Sequence, residues 1–355
     1  MAKKYLMKGN EAMAEAALRA HCRHFFGYPI TPQTEVAAYM AKRMPKLGGT
    51  YLQAESEIAA VNMVLGAAAA GVRAMTSSSS PGISLKTEGI SYIAASDLPA
   101  LIVNVMRGGP GLGGIQPSQS DYWQATKAPG HGDAQLLVYA PSSVQEMVDL
   151  TIRAFETAER YRMPAMLLAD GMLGQMMEPV TFPDEVPLPS DKPWALTGTK
   201  GQRDPNIVNS LYLTPSQLEA IVKDRFKRYE LVKAREVLFE EYRMDGAEIV
   251  LVAYGATARI CKAAVDAARA DGIPAGLFRP VTLWPFPEKE LAAVSEKAGQ
   301  MLVVEMSMGQ MVEDVRLAAN GRCPVSFYGR TGGMIPSPGE IAAEIRKLAN
   351  VKGVD

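Results

Sequence analysis

The sequence predicts an α/β protein made of two doubly wound domains, the second smaller than the first. Three observations carry this expectation. Short apolar runs alternate with amphipathic stretches in both halves, the pattern of helices laid on a largely parallel sheet. The 355 residues are more than one core of ordinary size holds. Between the halves lies EPVTFPDEVPLPSDKPW, whose prolines mark a connector and not a packed core.

In chain order, a helix over 10–21 leads to the segment HFFGYPITP. There Thr31 is placed to cap a second helix over 32–44, and Pro32 suits its first position. The segment YLQAESEIAAVNMVLGAAAAG supplies a helix of small residues, VRAMTSS a strand, 83–95 a helix and ALIVNVM a buried strand. A glycine-rich loop follows, then the strand QLLVYA. The next helix begins at Ser142, where Ser142 and Gln145 have capping-box spacing. PAMLLAD closes this unit near residue 170. A charged helix over 215–243 is polar on most faces, so it is solvated or lies on a partner. The rhythm then resumes with EIVLVAYG, a helix over 257–270, AGLFRPV, a helix after Pro287, QMLVVEM, a helix after Gly309, PVSFYG and a last helix from Pro338. These limits give a first domain over 1–184, a linker with the charged helix over 185–246 and a second domain over 247–355.

The 37 basic and 38 acidic residues nearly cancel and form no basic stripe, which argues against nucleic acid as a partner. Cys22, Cys261 and Cys323 form no CxxC pair. They read as buried small hydrophobes in a reducing compartment, not as a zinc or iron–sulfur site. The longest apolar run, 58–70, is interrupted by Asn62 and too short to span a bilayer, and MAKKYLMKGN lacks the apolar stretch of a signal peptide. A cytoplasmic protein without a membrane partner is expected.

Four places offer chemistry. In RGGPGLGGIQPSQSDYW, directly after a strand, Gly109, Gly111 and Gly114 satisfy G-x-G-x-x-G, yet no helix opens within the glycines to hold a pyrophosphate. What stands there instead is Arg107 at the carboxyl end of a strand, where open α/β sheets bind ligands; a surface charge or a structural ion pair is the alternative. In GYPITPQTE the helix start offers free N–H groups to an anion, or is simply a well-capped helix. Serines 77–80 line the same edge or form an ordinary turn. Finally, Glu55 and Glu57 precede a helix of Ala59, Ala60, Gly66 and alanines 67–70, whose slight side chains let another backbone approach closely. A carboxylate beside such a surface would be stripped of water, a setting for proton exchange with a neutral ring nitrogen. An ordinary acid at a helix start is the plainer reading.

Taken together, GYPITP, AESEIAAVNMVLGAAAAGVRAMTSSSSPGISL, RGGPGLGGIQPSQSDYWQATK, GHGD, RPVTLWPFPE and VVEMSMGQ, in this order over most of the chain, resemble the alpha subunit of 2-oxoacid:ferredoxin oxidoreductases. Among these the branched-chain (2-oxoisovalerate, or 3-methyl-2-oxobutanoate) enzyme is the most similar. The resemblance implies a first domain of the thiamine diphosphate pyrimidine-binding (Pyr) type and a transketolase C-terminal-like second domain. It implies that Glu57, nine residues before the first glycine of Gly66-x4-Gly71, bonds the aminopyrimidine ring of thiamine diphosphate and is catalytic. Thr31 and Arg107 map near the substrate carboxylate, and Tyr28 and Pro29 near the cofactor.

The family's GDG motif with its later asparagine is missing, since ADGMLGQ lacks the first glycine. The resemblance therefore places Mg2+ and the diphosphate on a beta subunit and iron–sulfur clusters on partner subunits, while gamma and ferredoxin-like delta subunits handle coenzyme A, the co-substrate, and the electrons that pass to ferredoxin. No metal site is expected in this chain. The function implied is oxidative decarboxylation of a branched-chain 2-oxoacid to an acyl-CoA and CO2. The same chemistry on 2-oxoglutarate or pyruvate, or a non-catalytic scaffolding subunit, are the alternatives.

Overall fold

The computed structural model describes residues 3–188 and 191–351. The outer ends of the two expected domains, 1–2 and 352–355, and residues 189–190 of the expected linker lie outside the described residues. The chain opens with β1 (Tyr5–Lys8), α1 (Gly9–Arg19), β2 (His24–Gly27), α2 (Thr34–Arg43), β3 (Thr50–Gln53), α3 (Glu57–Ala69) and β4 (Ala74–Ser78). Next come α4 (Ser80–Ala95), β5 (Leu101–Met106), α5 (Tyr122–Thr126), β6 (Leu137–Tyr139), α6 (Val144–Tyr161), β7 (Ala165–Asp170), α7 (Gly171–Gln175) and β8 (Met177–Val180). After the connector follow α8 (Pro215–Arg235), β9 (Phe239–Tyr242), β10 (Ile249–Val252), α9 (Gly255–Ala270), β11 (Ala275–Pro280) and β12 (Thr282–Trp284). The chain closes with α10 (Glu288–Ser295), β13 (Gln300–Glu305), α11 (Met311–Ala319), β14 (Val325–Gly329) and α12 (Pro338–Val351).

A seven-stranded sheet runs β12-β6-β7-β5-β4-β2-β3 and a five-stranded one β14-β13-β10-β11-β9. Both are parallel apart from one antiparallel edge strand each, β12 and β9. Central β5 and β7 are buried along their whole length, which is why they read as unbroken apolar runs. β1 and β8 form a separate antiparallel pair. Among the described residues no helix is long and apolar enough to cross a membrane.

Several local expectations change. The helix expected to begin at Pro32 with Thr31 as its cap begins at Thr34, with Gln33 at the capping position. Gln33 is buried and its amide is bound by Ser77 Oγ at 2.6 Å, which holds 31–33 in a turn and delays the helix. The first turn of α2 carries its own acid: Glu35 accepts bonds from Asn10 at 2.9 Å and Gln175 at 2.8 Å, so that helix end takes no outside anion. The α6 cap is Ser143, whose hydroxyl accepts from Glu146 N at 3.1 Å, one residue beyond the expected Ser142. Ser142 instead bonds the Glu146 carboxylate through its N–H at 2.8 Å. The charged helix stops at Arg235, not at Arg243; the residues beyond it form β9, drawn onto β11.

The two sheets share chain. β12, from the latter half, completes the first sheet, while β9, from the expected linker, completes the second. Gln119, fully buried, ties them further. Its amide donates to Tyr254 O at 2.9 Å and accepts from Thr257 Oγ1 at 2.7 Å and Met306 N at 3.0 Å.

Candidate active site

Four neighbouring strands, β5-β4-β2-β3, bring their carboxyl ends together, and the residues following each of them converge on one edge of the sheet. Tyr28, Pro29 and Thr31 follow β2, Glu57 follows β3, Ser79 follows β4 and Arg107 follows β5. The structure thus gathers at one edge the residues singled out from the sequence. Glu55 stays exposed in the turn before α3.

Glu57 is the first residue of α3, capped by Ser56, whose hydroxyl accepts from Ala59 N at 3.1 Å. Only 7% of Glu57 is exposed, and among the described residues no hydrogen bond reaches its carboxylate. α4 packs directly on it. A Cβ added to Gly82 would lie 2.8 Å from Glu57 Oε1 and 2.1 Å from Ser78 Oγ. Among the described residues the hydroxyls of Ser78, at this contact, and of Ser79, the next residue, are buried without a hydrogen-bond partner. Lys86, one turn further along α4, is fully buried and donates to Thr76 Oγ1 at 2.7 Å. Burial pushes its ammonium down to about 8, against the pull of the Glu57 charge.

Arg107 is 8% exposed. Its guanidinium donates to Thr31 O at 2.9 Å and Leu112 O at 3.3 Å, Nε has no partner, and no carboxylate pairs with it among the described residues. That disposes of the structural ion pair. Its backbone N–H donates to Ser80 Oγ at 3.0 Å, and Ser80 in turn donates to the Asp121 carboxylate at 2.6 Å, which Asn104 also binds at 2.9 Å. Burial pushes the Asp121 carboxyl up, and these two bonds offset it in part. A buried guanidinium without an anion is costly unless a ligand completes it, and its fork suits a carboxylate. The glycine loop after it closes on itself through Gly114 N to Gly108 O at 2.9 Å. Gly113, at φ +56°, has no room for a Cβ because Gly108 O would lie 1.9 Å away. The next helix starts only at Tyr122, so no dinucleotide fingerprint forms.

Ile58, Asn62 and Gly66 of α3 and Ala70 just beyond it, spaced four apart, are all exposed, and a Cβ added to Gly66 would meet nothing within 4 Å among the described residues outside its own helix turn. Among the described residues no group of three His, Cys, Asp or Glu could hold a metal. Sequence reasoning missed Lys86. Its signal was the spacing Gly82, Lys86, Gly89, which puts all three on the helix face that meets α3.

Residues 15–217 match the profile of pyruvate flavodoxin/ferredoxin oxidoreductase, thiamine diphosphate-binding, and residues 247–341 that of pyruvate:ferredoxin oxidoreductase core domain II. A ketoisovalerate oxidoreductase subunit VorB from Methanothermobacter marburgensis is 48% identical over 97% of each chain. The chain belongs to the 2-oxoacid:ferredoxin oxidoreductases. It is an alpha-type subunit of that family and carries the family's thiamine diphosphate-binding domain. The 2-oxoglutarate synthase subunit KorA from Methanothermobacter thermautotrophicus is 38% identical over 98% of this chain and 100% of its own. The structure of a 2-oxoglutarate:ferredoxin oxidoreductase from Magnetococcus marinus, with 2-oxoglutarate, coenzyme A and succinyl-CoA bound, superposes with a TM-score of 0.86 at 26% identity. It covers 98% of this chain, which spans 65% of that one. A split-gene transketolase, at 13% identity and a TM-score of 0.61, shares the fold.

Proposed function

We propose that this chain supplies the aminopyrimidine side and the substrate-carboxylate contacts of an enzyme that oxidatively decarboxylates 2-oxoisovalerate with coenzyme A, passing electrons to ferredoxin. The observation that carries the reading is Glu57: an acid nearly shut off from water, with no hydrogen bond to its carboxylate among the described residues, packed on Gly82 together with the unpartnered Ser78 hydroxyl. Such a group fits a polar ring nitrogen arriving from outside. Thiamine diphosphate, when bound, supplies the carbon nucleophile and the electron sink for decarboxylation. Glu57 holds and returns a proton at its carboxyl oxygen. Arg107, kept in place by the carbonyls of Thr31 and Leu112, grips the 2-oxoacid carboxylate and orients it. Tyr28, Pro29 and Thr31 wall the approach.

The exposed stripe Ile58, Asn62, Gly66 and Ala70 begins next to Glu57, and a beta subunit seated there would enclose the acid and bring the Mg2+ and diphosphate half. Gamma and ferredoxin-like delta subunits handle coenzyme A and electrons, with iron–sulfur clusters on the partner subunits. The three free cysteines are all buried, in keeping with a cytoplasmic enzyme. 2-Oxoisovalerate is favoured by the 48% identity to the ketoisovalerate subunit, and a side-by-side assay with 2-oxoglutarate and pyruvate tests that choice.

The role of Glu57 is tested by assembling Glu57→Gln with its partners and following viologen reduction. Turnover should be lost with assembly intact, and retained turnover would refute the role. No thiamine-dependent activity from the complete wild-type assembly would leave the scaffolding reading.

A further inference from the structure

Lys86 has no part in the mechanism above, yet it has no exposed surface. It stands between Gly82 and Gly89 on the face of α4 that meets α3, where the glycines let the helices close on Glu57 and Val61. Its ammonium has one neutral acceptor, Thr76 Oγ1, and forms no salt bridge among the described residues. A lysine buried this way costs folding free energy, so a hydrocarbon would serve better if packing were its whole purpose. Of the elements packed on α4, α3 presents Glu57, β4 presents Thr76, β5 presents Asn104, and the segment before α5 presents Asp121. Asp121 is engaged by Ser80 and Asn104 at the start of the helix, and Glu57 is the acid whose charge acts on Lys86.

We propose that Lys86 is a positioning residue that keeps Glu57 in its carboxylate form when the cofactor's ring nitrogen carries their shared proton. The proposal rests on the reading of Glu57 given above. A single proton is at stake. On Glu57 it leaves acid and ring neutral; on the ring nitrogen it leaves a carboxylate facing a cationic ring. A fixed ammonium inside the chain attracts the carboxylate and is nearly indifferent to the neutral acid, so it weights the balance toward the charged pair. The weighting fades as pH rises through about 8, where Lys86 gives up its own proton.

The test is the protonation state of the bound ring nitrogen, read from the 15N chemical shift of 15N-labelled thiamine diphosphate on the assembled subunits between about pH 6 and pH 9. In wild type the protonated fraction should fall as pH passes about 8. Lys86→Met, of similar shape, should lower the ratio of charged to neutral pair about tenfold at pH 7 and show no step near pH 8. Lys86→Arg keeps its charge throughout the range and should hold the protonated signal without the fall. Glu57→Gln should leave the nitrogen unprotonated at every pH. A wild-type signal that is flat across pH 8 overturns the proposal without any variant, as does Lys86→Met behaving like wild type. If Glu57→Gln also behaves like wild type, the reading of Glu57 falls too; if only Glu57→Gln changes the signal, Lys86 alone loses its role.

Discussion

Gly82 shows how tightly the residues around Glu57 are fitted. A methyl group there would press on Ser78 Oγ and Glu57 Oε1 together. Alanine also favours a helix by up to about 1 kcal/mol over glycine, so Gly82→Ala should leave the melting temperature nearly unchanged while moving the carboxylate. Calorimetry should then show thiamine diphosphate affinity reduced about tenfold, 1.4 kcal/mol in binding terms. Lys86 makes a separate prediction for stability. Its folded proton affinity is depressed to about 8 from 10.5, so folding is penalised wherever the unfolded lysine is charged. The penalty is complete below about 8 and fades as pH rises toward 10.5. Lys86→Met should therefore be more stable than wild type at pH 7, by at most about 3 kcal/mol in urea unfolding, and the difference should shrink between those two values. A variant less stable at pH 7 would mean that the bond to Thr76 matters more than the buried charge. Glu57 and Arg107 were legible in the sequence because each charge stands at the junction of a strand and an uncharged segment. Lys86 was not, because one lysine on a helix ordinarily reads as solvated. Thr31 misled as a cap because nothing local reveals that Ser77 binds the side chain of Gln33.

At the scale of elements, long apolar runs were readable and short pairings were not. β5 and β7, buried on both faces, announce themselves by composition, and α3 by its run of alanine and glycine. β12 has three residues, too few for any period, and its place beside β6 comes from backbone pairing of Thr282 with Tyr139 and Trp284 with Val138, residues far away in sequence. The start of α6 is the clearest local test. Ser143 satisfies a free N–H of the first turn, whereas Ser142 only adds to the hold on the Glu146 side chain. Ser143→Ala should cost about 1 kcal/mol of stability in urea unfolding, and Ser142→Ala clearly less. The reverse order would restore the cap that spacing alone suggested.

Over the whole molecule, alternation of runs foretold two α/β sheets, but not that each takes an edge strand from chain expected elsewhere. Such an exchange depends on contacts between residues far apart, for which a local pattern carries no signal. The consequence is mechanical: the edge that carries the proposed active site belongs to the first sheet, while the loop leading from Arg107 is held at Gln119 by the second. Gln119 is the point at which the coupling is open to measurement. Replacing it with alanine removes three hydrogen bonds and leaves Tyr254 O and Met306 N buried without those partners. Each such group costs about 1–3 kcal/mol, and the loss falls entirely on the junction. The backbone bonds of residue 119, its N–H to Met306 O at 2.8 Å and its carbonyl from Tyr254 OH at 3.0 Å, do not depend on the side chain and should preserve the native arrangement. Calorimetric unfolding of Gln119→Ala should therefore begin at a lower temperature and separate into two transitions where wild type shows one. A single transition at the wild-type temperature would mean that the exchanged strands alone unite the two halves.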